Sequence, residues 1–305
     1  MLLSMKTLAL PIVFIFLYGS GFVFTAFGLE NSSPMAFLGL RFFIAFFILL
    51  IIASVLKVQW PKTLLEFMHI SIAGLLTVGV FSIGVFLSLS FGISASLSAL
   101  IIALQPIVVT FLAVKLLGEK FNMKILMGLL LGILGVAFVV SSKVGGSSTQ
   151  TFGIVFSIVA LLGLSFGNIY QKKYCSNMNL YSGGAIQTLS STILVAPLLL
   201  FFEDINITFN NDFFIALMYM SVGVSIGALS LLYIMIEKGE VSKVSSVFYM
   251  MPVCAAVMSY LIFGTNIDIT MLIGIASVLI GILLITKEKL CHILMLKQML
   301  NKVMN

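Results

Sequence analysis

The chain has 305 residues, of which 61% are hydrophobic and only 9% are charged, and its formal net charge is +6. A soluble domain carries about 25% charged residues, so this composition excludes a soluble protein and indicates an integral membrane protein. In such a protein basic residues mark cytoplasmic loops, and their excess therefore does not indicate nucleic-acid binding. The three scattered cysteines and two histidines predict neither a disulfide framework nor a metal site.

Ten apolar runs follow one another along the chain, each about the 20 residues that a helix needs to cross a bilayer. The first run begins like a secretory signal but stays apolar through residues 22–27, so we interpret it as an uncleaved membrane helix. The predicted spans are 7–28, 34–56, 66–91, 95–117, 122–141, 152–173, 180–202, 213–236, 242–263 and 268–287.

The second half of the chain repeats the first at a constant offset of 146 residues. Pro106 falls on Pro252, Gly118 on Gly264, and Arg41 on Gln187. We therefore predict a first five-helix repeat over 1–144, a second over 150–287, and a cytoplasmic tail over 288–305. Because five is an odd number, the second repeat enters the membrane in the opposite orientation. The predicted fold is an all-α integral membrane protein with ten transmembrane helices in two inverted five-helix repeats, a recurring design of secondary transporters.

The basic residues also predict the orientation. With ten spans, 14 lysines fall on one side of the membrane, Lys143 falls alone on the other, and Arg41 lies within a span. The positive-inside rule then places both termini in the cytoplasm. Frequent Lys, Asn and Ile favour a bacterial source, so we expect a multi-pass protein of the bacterial inner membrane.

Four stretches resemble a known family. They are Tyr18-Gly19-Ser20-Gly21-Phe22 in the first span, Arg41-Phe42 in the second, Pro106 followed by Gly118-Glu119 in the fourth, and the glycine-rich 128–136 in the fifth. In order and spacing they resemble the drug/metabolite transporter superfamily, EamA type. Tyr18 stands where that family usually has Trp, and the second repeat has Thr265 in place of Glu119. The resemblance implies a ten-helix transporter of amino acids or other small metabolites, often an exporter, with or without proton coupling.

Arg41 is the charged residue deepest within a predicted span. A charge at bilayer depth costs about 2.5–3.5 kcal/mol or more, so it normally faces a partner or water. It could attract a substrate carboxylate or organise a gate. It could also extend to the membrane surface or pair with Glu30. No acidic residue lies clearly at mid-membrane, which argues against a buried carboxylate as a proton relay.

Other candidates are polar or aromatic residues within spans. Buried amides and hydroxyls need partners, so each either bonds a neighbouring helix or faces a wet cavity. Two prolines near span centres, Pro106 and Pro252, could be paired hinges or fixed kinks. With Arg41, the candidate substrate-binding residues are Tyr18, Phe22, Phe86, Ser98, Gln105, Asn168, Gln187, Tyr233 and Tyr249.

The leading functional hypothesis is a secondary transporter that works by alternating access on a small molecule, with no resident cofactor. Amino acids are the first substrate class, and export is the expected direction. Nucleobases, S-adenosylmethionine and drug-like compounds are the alternative substrates. A channel is a weaker alternative, and the sequence lacks the clustered reactive side chains that a membrane enzyme would need. We expect a monomer or a weak homodimer in the lipid bilayer.

Overall fold

The computed structural model describes residues 2–117, 123–143, 148–238, 248, 250–264, 268–277 and 279–280, so Tyr249 and the tail 288–305 lie outside the described residues. Its helices are α1 (Leu2–Leu29), α2 (Pro34–Val55), α3 (Leu64–Ser90), α4 (Ala95–Ile102), α5 (Gln105–Leu117), α6 (Met123–Lys143), α7 (Ser148–Tyr174), α8 (Leu180–Phe202), α9 (Asn211–Glu237), α10 (Met251–Phe263) and α11 (269–277).

Within the described residues, seven helical stretches are long and apolar enough to cross a membrane, one of them formed by α4 and α5 together over Ala95–Leu112, and two further apolar helices are shorter. Each of the ten predicted spans contains helical residues. Large apolar side chains point outward from these helices; Phe47 on α2 is 43% exposed and Ile51 is 60% exposed. Such a surface is stable against lipid rather than water. The prediction of an all-α integral membrane protein is therefore confirmed.

Polar residues in the breaks begin the helices. The side chain of Ser94 accepts a hydrogen bond from the backbone N–H of Leu97, and Asn210 accepts one from Phe213. Asn179 and Thr63 cap α8 and α3 in the same way. Each cap satisfies an N–H group that the helix cannot pair internally, and it fixes where the helix starts.

The second helix and its repeat equivalent run antiparallel. Arg41 and Gln187 are the eighth residues of α2 and α8. A Cβ added to Gly39 on α2 would lie 3.9 Å from Val195, whereas one on Gly184 of α8 would lie 3.2 Å from Leu49. The early part of each helix therefore contacts the late part of the other, as two equivalent helices do in inverted repeats.

Two helices contain π-helical segments at equivalent positions. Leu75–Val80 is the π segment of α3, and Tyr219–Ala228 is that of α9. A shift of 146 residues places the first segment inside the second. π segments within α-helices often occur at functional sites.

The first helix of each repeat packs on the π segment of the other repeat. A Cβ added to Gly21 on α1 would lie 3.3 Å from Val224 in the π segment of α9. A Cβ added to Gly167, the equivalent residue on α7, would lie 2.5 Å from Thr77 in the π segment of α3. These small residues allow close helix approach, so the two repeats share one core.

The loops before α2 and after α8 are bonded to each other; we call residues 31–35 and 203–210 the acidic-end latch. Its bonds include Ser33 N to Asn206 O (2.8 Å), Thr208 N to Asn31 O (2.8 Å), Asn210 Nδ2 to Asn31 Oδ1 (2.6 Å) and Met35 N to the Glu203 carboxylate (2.7 and 3.1 Å). We call the opposite end, with Lys57, Lys62, Lys172 and Lys173, the basic end.

The equivalent loops at the basic end are joined less extensively. In the described part of the chain this region has one hydrogen bond between the repeats, from Ser182 Oγ in the first turn of α8 to Gln59 O at 2.8 Å. The repeat equivalent of Glu203 is Lys57, so a carboxylate is not present to cap the helix there. The two sets of equivalent loops therefore differ in how extensively they are bonded.

Gly84 offers a test of the packing between α3 and α7. A Cβ added there would lie 2.7 Å from the Phe156 carbonyl oxygen and 2.9 Å from the Ala160 nitrogen, both backbone atoms that cannot rotate away. We expect Gly84→Ala to destabilise the protein by about 1–3 kcal/mol, the usual cost of overpacking. The measurement is the melting temperature in detergent.

The control is Gly223→Ala, because a Cβ on Gly223 would meet nothing closer than 3.7 Å. Ala favours helix over Gly, so this variant should melt at the same temperature or higher. Equal melting temperatures for both variants would contradict the described contact of α3 with α7.

Candidate functional site

A cavity lies between α1, α2, α3 and α9; we call it the Arg41 cavity. The volume in which the centre of a water-sized sphere fits is about 20 Å³. This is enough for one or two water molecules. Its wall mixes aromatic, hydroxyl and small apolar side chains with one guanidinium. It is lined by Tyr18, Gly21, Phe22, Thr25, Arg41, Phe81, Ser82, Val85, Phe86, Met220 and Val224.

Arg41 is the charged group of this cavity. It lies about 10 Å along α2 from the helix start and is only 4% exposed. Its Nε donates to Ser225 Oγ at 2.8 Å, and the guanidinium lies 5.4 Å from the ring centre of Phe42. This hydrogen bond uses one of the five guanidinium N–H groups.

No carboxylate of the described residues forms an ion pair with Arg41. The pairing with Glu30 that the sequence allowed does not occur, because Glu30 is exposed in the loop after α1. The guanidinium does not extend to the membrane surface either, since the side chain is buried and bonded to α9. Arg41 thus holds a buried positive charge beside a cavity, and an anionic group in that cavity would stabilise it.

The aromatic candidates Tyr18, Phe22 and Phe86 form much of the cavity wall. Each is at most 3% exposed. Tyr18 stacks on Phe81 with ring centres 5.7 Å apart. The structure therefore brings four of the predicted site residues, including Arg41, into one cavity.

Gln187 and Tyr233 belong to a second buried cluster. The Tyr233 hydroxyl donates to Gln187 Oε1 at 2.6 Å and lies 3.2 Å from Thr77 Oγ1. Gln187 Nε2 donates to Gln171 Oε1 at 2.9 Å. We call Thr77, Gln171, Gln187 and Tyr233 the amide cluster; it joins α3, α7, α8 and α9.

The remaining polar candidates do not line the Arg41 cavity. Ser98 is fully buried and lies 3.0 Å from Ser157 Oγ, so it joins α4 to α7. Gln105 is also fully buried, and within the described residues neither atom of its amide has a hydrogen-bond partner. Asn168 is 1% exposed, and its Oδ1 likewise has no partner there.

The two prolines stand at helix starts rather than within continuous helices. α4 ends at Ile102 and α5 begins at Gln105, so Pro106 is the second residue of a new helix. Pro252 is the second residue of α10. A residue without N–H is favourable in a first helical turn, so Pro106 stands at the break between α4 and α5 within one predicted span. Whether either position is a hinge stays a prediction, and Tyr249 lies outside the described residues.

Sequence reasoning missed several residues of the site. Ser225 binds Arg41, Thr77 contacts Tyr233, and Thr25 and Ser82 line the Arg41 cavity. Hydroxyl residues are common in membrane helices, where they bond the preceding turn, so their pattern alone gives little signal. The repeat does give a signal for Thr25. When the sequence is shifted by 146 residues, Thr25 falls on Gln171, just as Arg41 falls on Gln187.

Comparisons with known proteins agree with this architecture. The uncharacterized transporter YvbV of Bacillus subtilis is 24% identical over 294 residues, covering 93% of each chain. The probable amino-acid metabolite efflux pump of Salmonella typhimurium is 23% identical over 289 residues, covering 92% of this chain and 94% of its own. One solved crystal structure matches with a TM-score of 0.70 at 15% identity over 92% of this chain and 96% of that chain, which shows a shared fold.

The family assignment agrees with the two repeats. A model of the EamA-like transporter family matches residues 5–141 and again residues 151–287, on either side of the sequence Gly-Gly-Ser-Ser at 145–148. The resemblance to EamA-type drug/metabolite transporters is thereby confirmed. The chain belongs to the EamA-like transporter family and is a multi-pass membrane transporter.

Proposed function

We propose that the protein is a secondary carrier that moves small carboxylate-bearing metabolites, amino acids first, out of the cell by alternating access. The observation that carries the proposal is the buried Arg41 guanidinium, which faces a cavity between the repeats and has no carboxylate partner among the described residues. A substrate carboxylate would form bidentate, charge-assisted bonds with it, which neutral groups of the wall cannot replace.

The size of the cavity supports a carrier over a channel. Its space of about 20 Å³ holds water but not an amino acid, so the bundle must rearrange before substrate enters. A channel needs a continuous path, whereas alternating access needs a closed state. The antiparallel equivalence of α2 and α8 supplies two halves that can exchange conformations.

Direction and location are part of the same proposal. Two relatives are named probable amino-acid metabolite efflux pumps, which favours export of amino acids or related metabolites. The bacterial relatives and the lysines of the basic end favour the bacterial inner membrane with that end in the cytoplasm. Proton coupling and a monomer or weak homodimer remain compatible with the proposal.

A second substrate class is favoured by a separate observation. Tyr18, Phe22, Phe81 and Phe86 give the cavity several ring faces, on which a planar nucleobase could stack. S-adenosylmethionine would use both these rings and, through its carboxylate, Arg41.

The deciding experiment is counter-flow in proteoliposomes loaded with unlabelled amino acids such as serine, threonine or phenylalanine. We expect transient, saturable accumulation of the labelled amino acid. Loading with the corresponding amine, which lacks the carboxylate, should give none. Counter-flow driven equally by the amine would contradict carboxylate recognition. Counter-flow with nucleobases alone would favour the second class, and non-saturating flux would favour a channel.

A further inference from the structure

Three of the cavities that the described residues enclose follow one another from Arg41 toward the basic end. Beyond the Arg41 cavity lies the inner cavity, whose wall includes Ser225, Thr188, Gln187 and Tyr233. Nearest the basic end lies the basic-end cavity, whose wall includes Gln171, Cys175, Ser176, Tyr233 and Glu237. In each of these two cavities, the volume in which the centre of a water-sized sphere fits is about 10 Å³.

Ser225 connects the first two cavities. Its hydroxyl binds Arg41, which lines the Arg41 cavity, and Ser225 itself lines the inner cavity. A molecule that moves between Arg41 and the basic end would therefore pass Ser225 and the inner cavity.

Tyr233 separates the inner cavity from the basic-end cavity. It lines both, as does the apolar side chain of Leu180. The basic-end cavity reaches Glu237 at the end of α9 and Ser176 in the loop after α7. Removing the Tyr233 side chain would join the two spaces.

Hydrogen bonds hold Tyr233 in this position. Its hydroxyl contacts Gln187 on α8 and Thr77 on α3, and Gln187 is held in turn by Gln171 on α7. All four side chains of the amide cluster are at most 5% exposed. The cluster is neutral, so its bonds can break without leaving a buried charge.

The repeat symmetry pairs this cluster with the Arg41 cavity. Gln187 and Gln171 are the repeat equivalents of Arg41 and Thr25, which both line that cavity. Where one repeat has a cation beside open space, the other has two amides bonded to each other. The first repeat thus presents a cation that can bind an anionic group, whereas the equivalent residues of the second repeat are amides bonded to each other.

We propose that Tyr233, held by Gln187 and Thr77, is the gate between the substrate site and the basic end. The gate opens when the Tyr233 hydroxyl leaves Gln187 and the ring moves out of the partition. The inner and basic-end cavities then join, and in the proposed direction of export the substrate passes Ser225 from the basic end to reach Arg41. This inference rests on the proposed function for its substrate, but the gate itself can be tested without substrate.

The test measures thiol accessibility in membrane vesicles. Cys175, Cys254 and Cys291 are first replaced by Ser; Cys175 would be a poor probe, because burial raises the pKa of its thiol to about 11 and leaves little reactive thiolate. Thr188→Cys then reports on the inner cavity, and Ser176→Cys reports on the basic-end cavity. A charged, membrane-impermeant thiosulfonate reagent is added from each side in turn.

We expect Tyr233→Ala to raise the labelling rate of Cys at 188 from the basic end by at least about tenfold. The reason is that the closed state loses the two buried hydrogen bonds of the Tyr233 hydroxyl, which stabilise it. The rate for Cys at 176 should change little. Tyr233→Phe keeps the ring and removes the hydroxyl, so it should give a smaller increase. The control is Tyr260→Ala, because Tyr260 is 54% exposed on α10 and lines neither cavity.

An unchanged rate at position 188 in both Tyr233 variants would overturn the proposal. Equal increases from both sides would also overturn it, because that pattern indicates general loosening of the bundle. If counter-flow fails but the Tyr233 variants change labelling at position 188 as expected, the proposed substrate class is removed and the proposed gate stands.

Discussion

Replacing Arg41 with Gln is expected to abolish counter-flow of amino acids while leaving the fold intact. Gln keeps a hydrogen-bonding side chain at the cavity but removes the charge that pairs with a carboxylate. Hydrogen bonds to charged groups contribute about 1.5–3 kcal/mol each, so the loss should be at least about tenfold in transport rate at low substrate concentration. Initial rates in proteoliposomes measure it.

Stability gives an independent second readout. Burial of an unpaired charge opposes folding, so the melting temperature of Arg41→Gln should equal or exceed that of the wild type. Arg41→Lys keeps the charge but not the planar fork and should retain part of the activity. The control is Lys115→Gln, which removes an exposed charge from α5. Full transport in Arg41→Gln would remove Arg41 from the substrate path.

Replacing Glu203 with Gln is expected to open the acidic end of the transporter. The Glu203 carboxylate accepts the Met35 N–H at 2.7 Å, at the first turn of α2, where the helix dipole favours a negative charge. Loss of the charge weakens the acidic-end latch by about 1–2 kcal/mol. The population of the state open at that end should rise roughly tenfold. Labelling of Ser82→Cys in the Arg41 cavity from the acidic side measures it.

Asp204→Asn is the matched control for this change. Asp204 lies next to Glu203 in the same loop and is exposed, and it makes none of the latch bonds. The substitution Asp204→Asn removes one negative charge, as Glu203→Gln does, but it keeps the contact between Glu203 and Met35 on α2. If both variants labelled alike, the effect would come from loop charge in general and not from the bond between Glu203 and Met35.

The broad architecture could be predicted because the bilayer constrains it strongly. Each span must be long and apolar, and the repeat keeps Pro and Gly in register, so helix positions and inversion follow from the sequence. The ends of α2 and α8 were predicted within one residue for this reason. The break at Ala103–Leu104 was not, because Pro106 indicates a kink or hinge near the span centre but not whether helical residues are lost beside it.

The site was predicted only in part, since depth along a span does not fix which face of a helix looks inward. Arg41, Tyr18, Phe22 and Phe86 meet in one cavity, but Ser98 bonds Ser157 elsewhere. Gln187 was identified by its type, yet its partner Tyr233 could have been an interfacial aromatic by sequence alone. Partners on different helices depend on helix rotation, and a single sequence does not encode rotation in its hydropathy.

The reciprocal packing of the repeats has a consequence for how the protein is made. Gly21 on the first helix packs on Val224, which the ribosome adds some 200 residues later. Until that segment is synthesised, the buried Arg41 lacks its Ser225 partner, and α2 lacks the antiparallel helix that covers it. The first half must therefore wait in the bilayer in an incomplete state. Assembly of the core is tied to completion of α9, so premature termination before this helix leaves an arginine uncovered within the membrane.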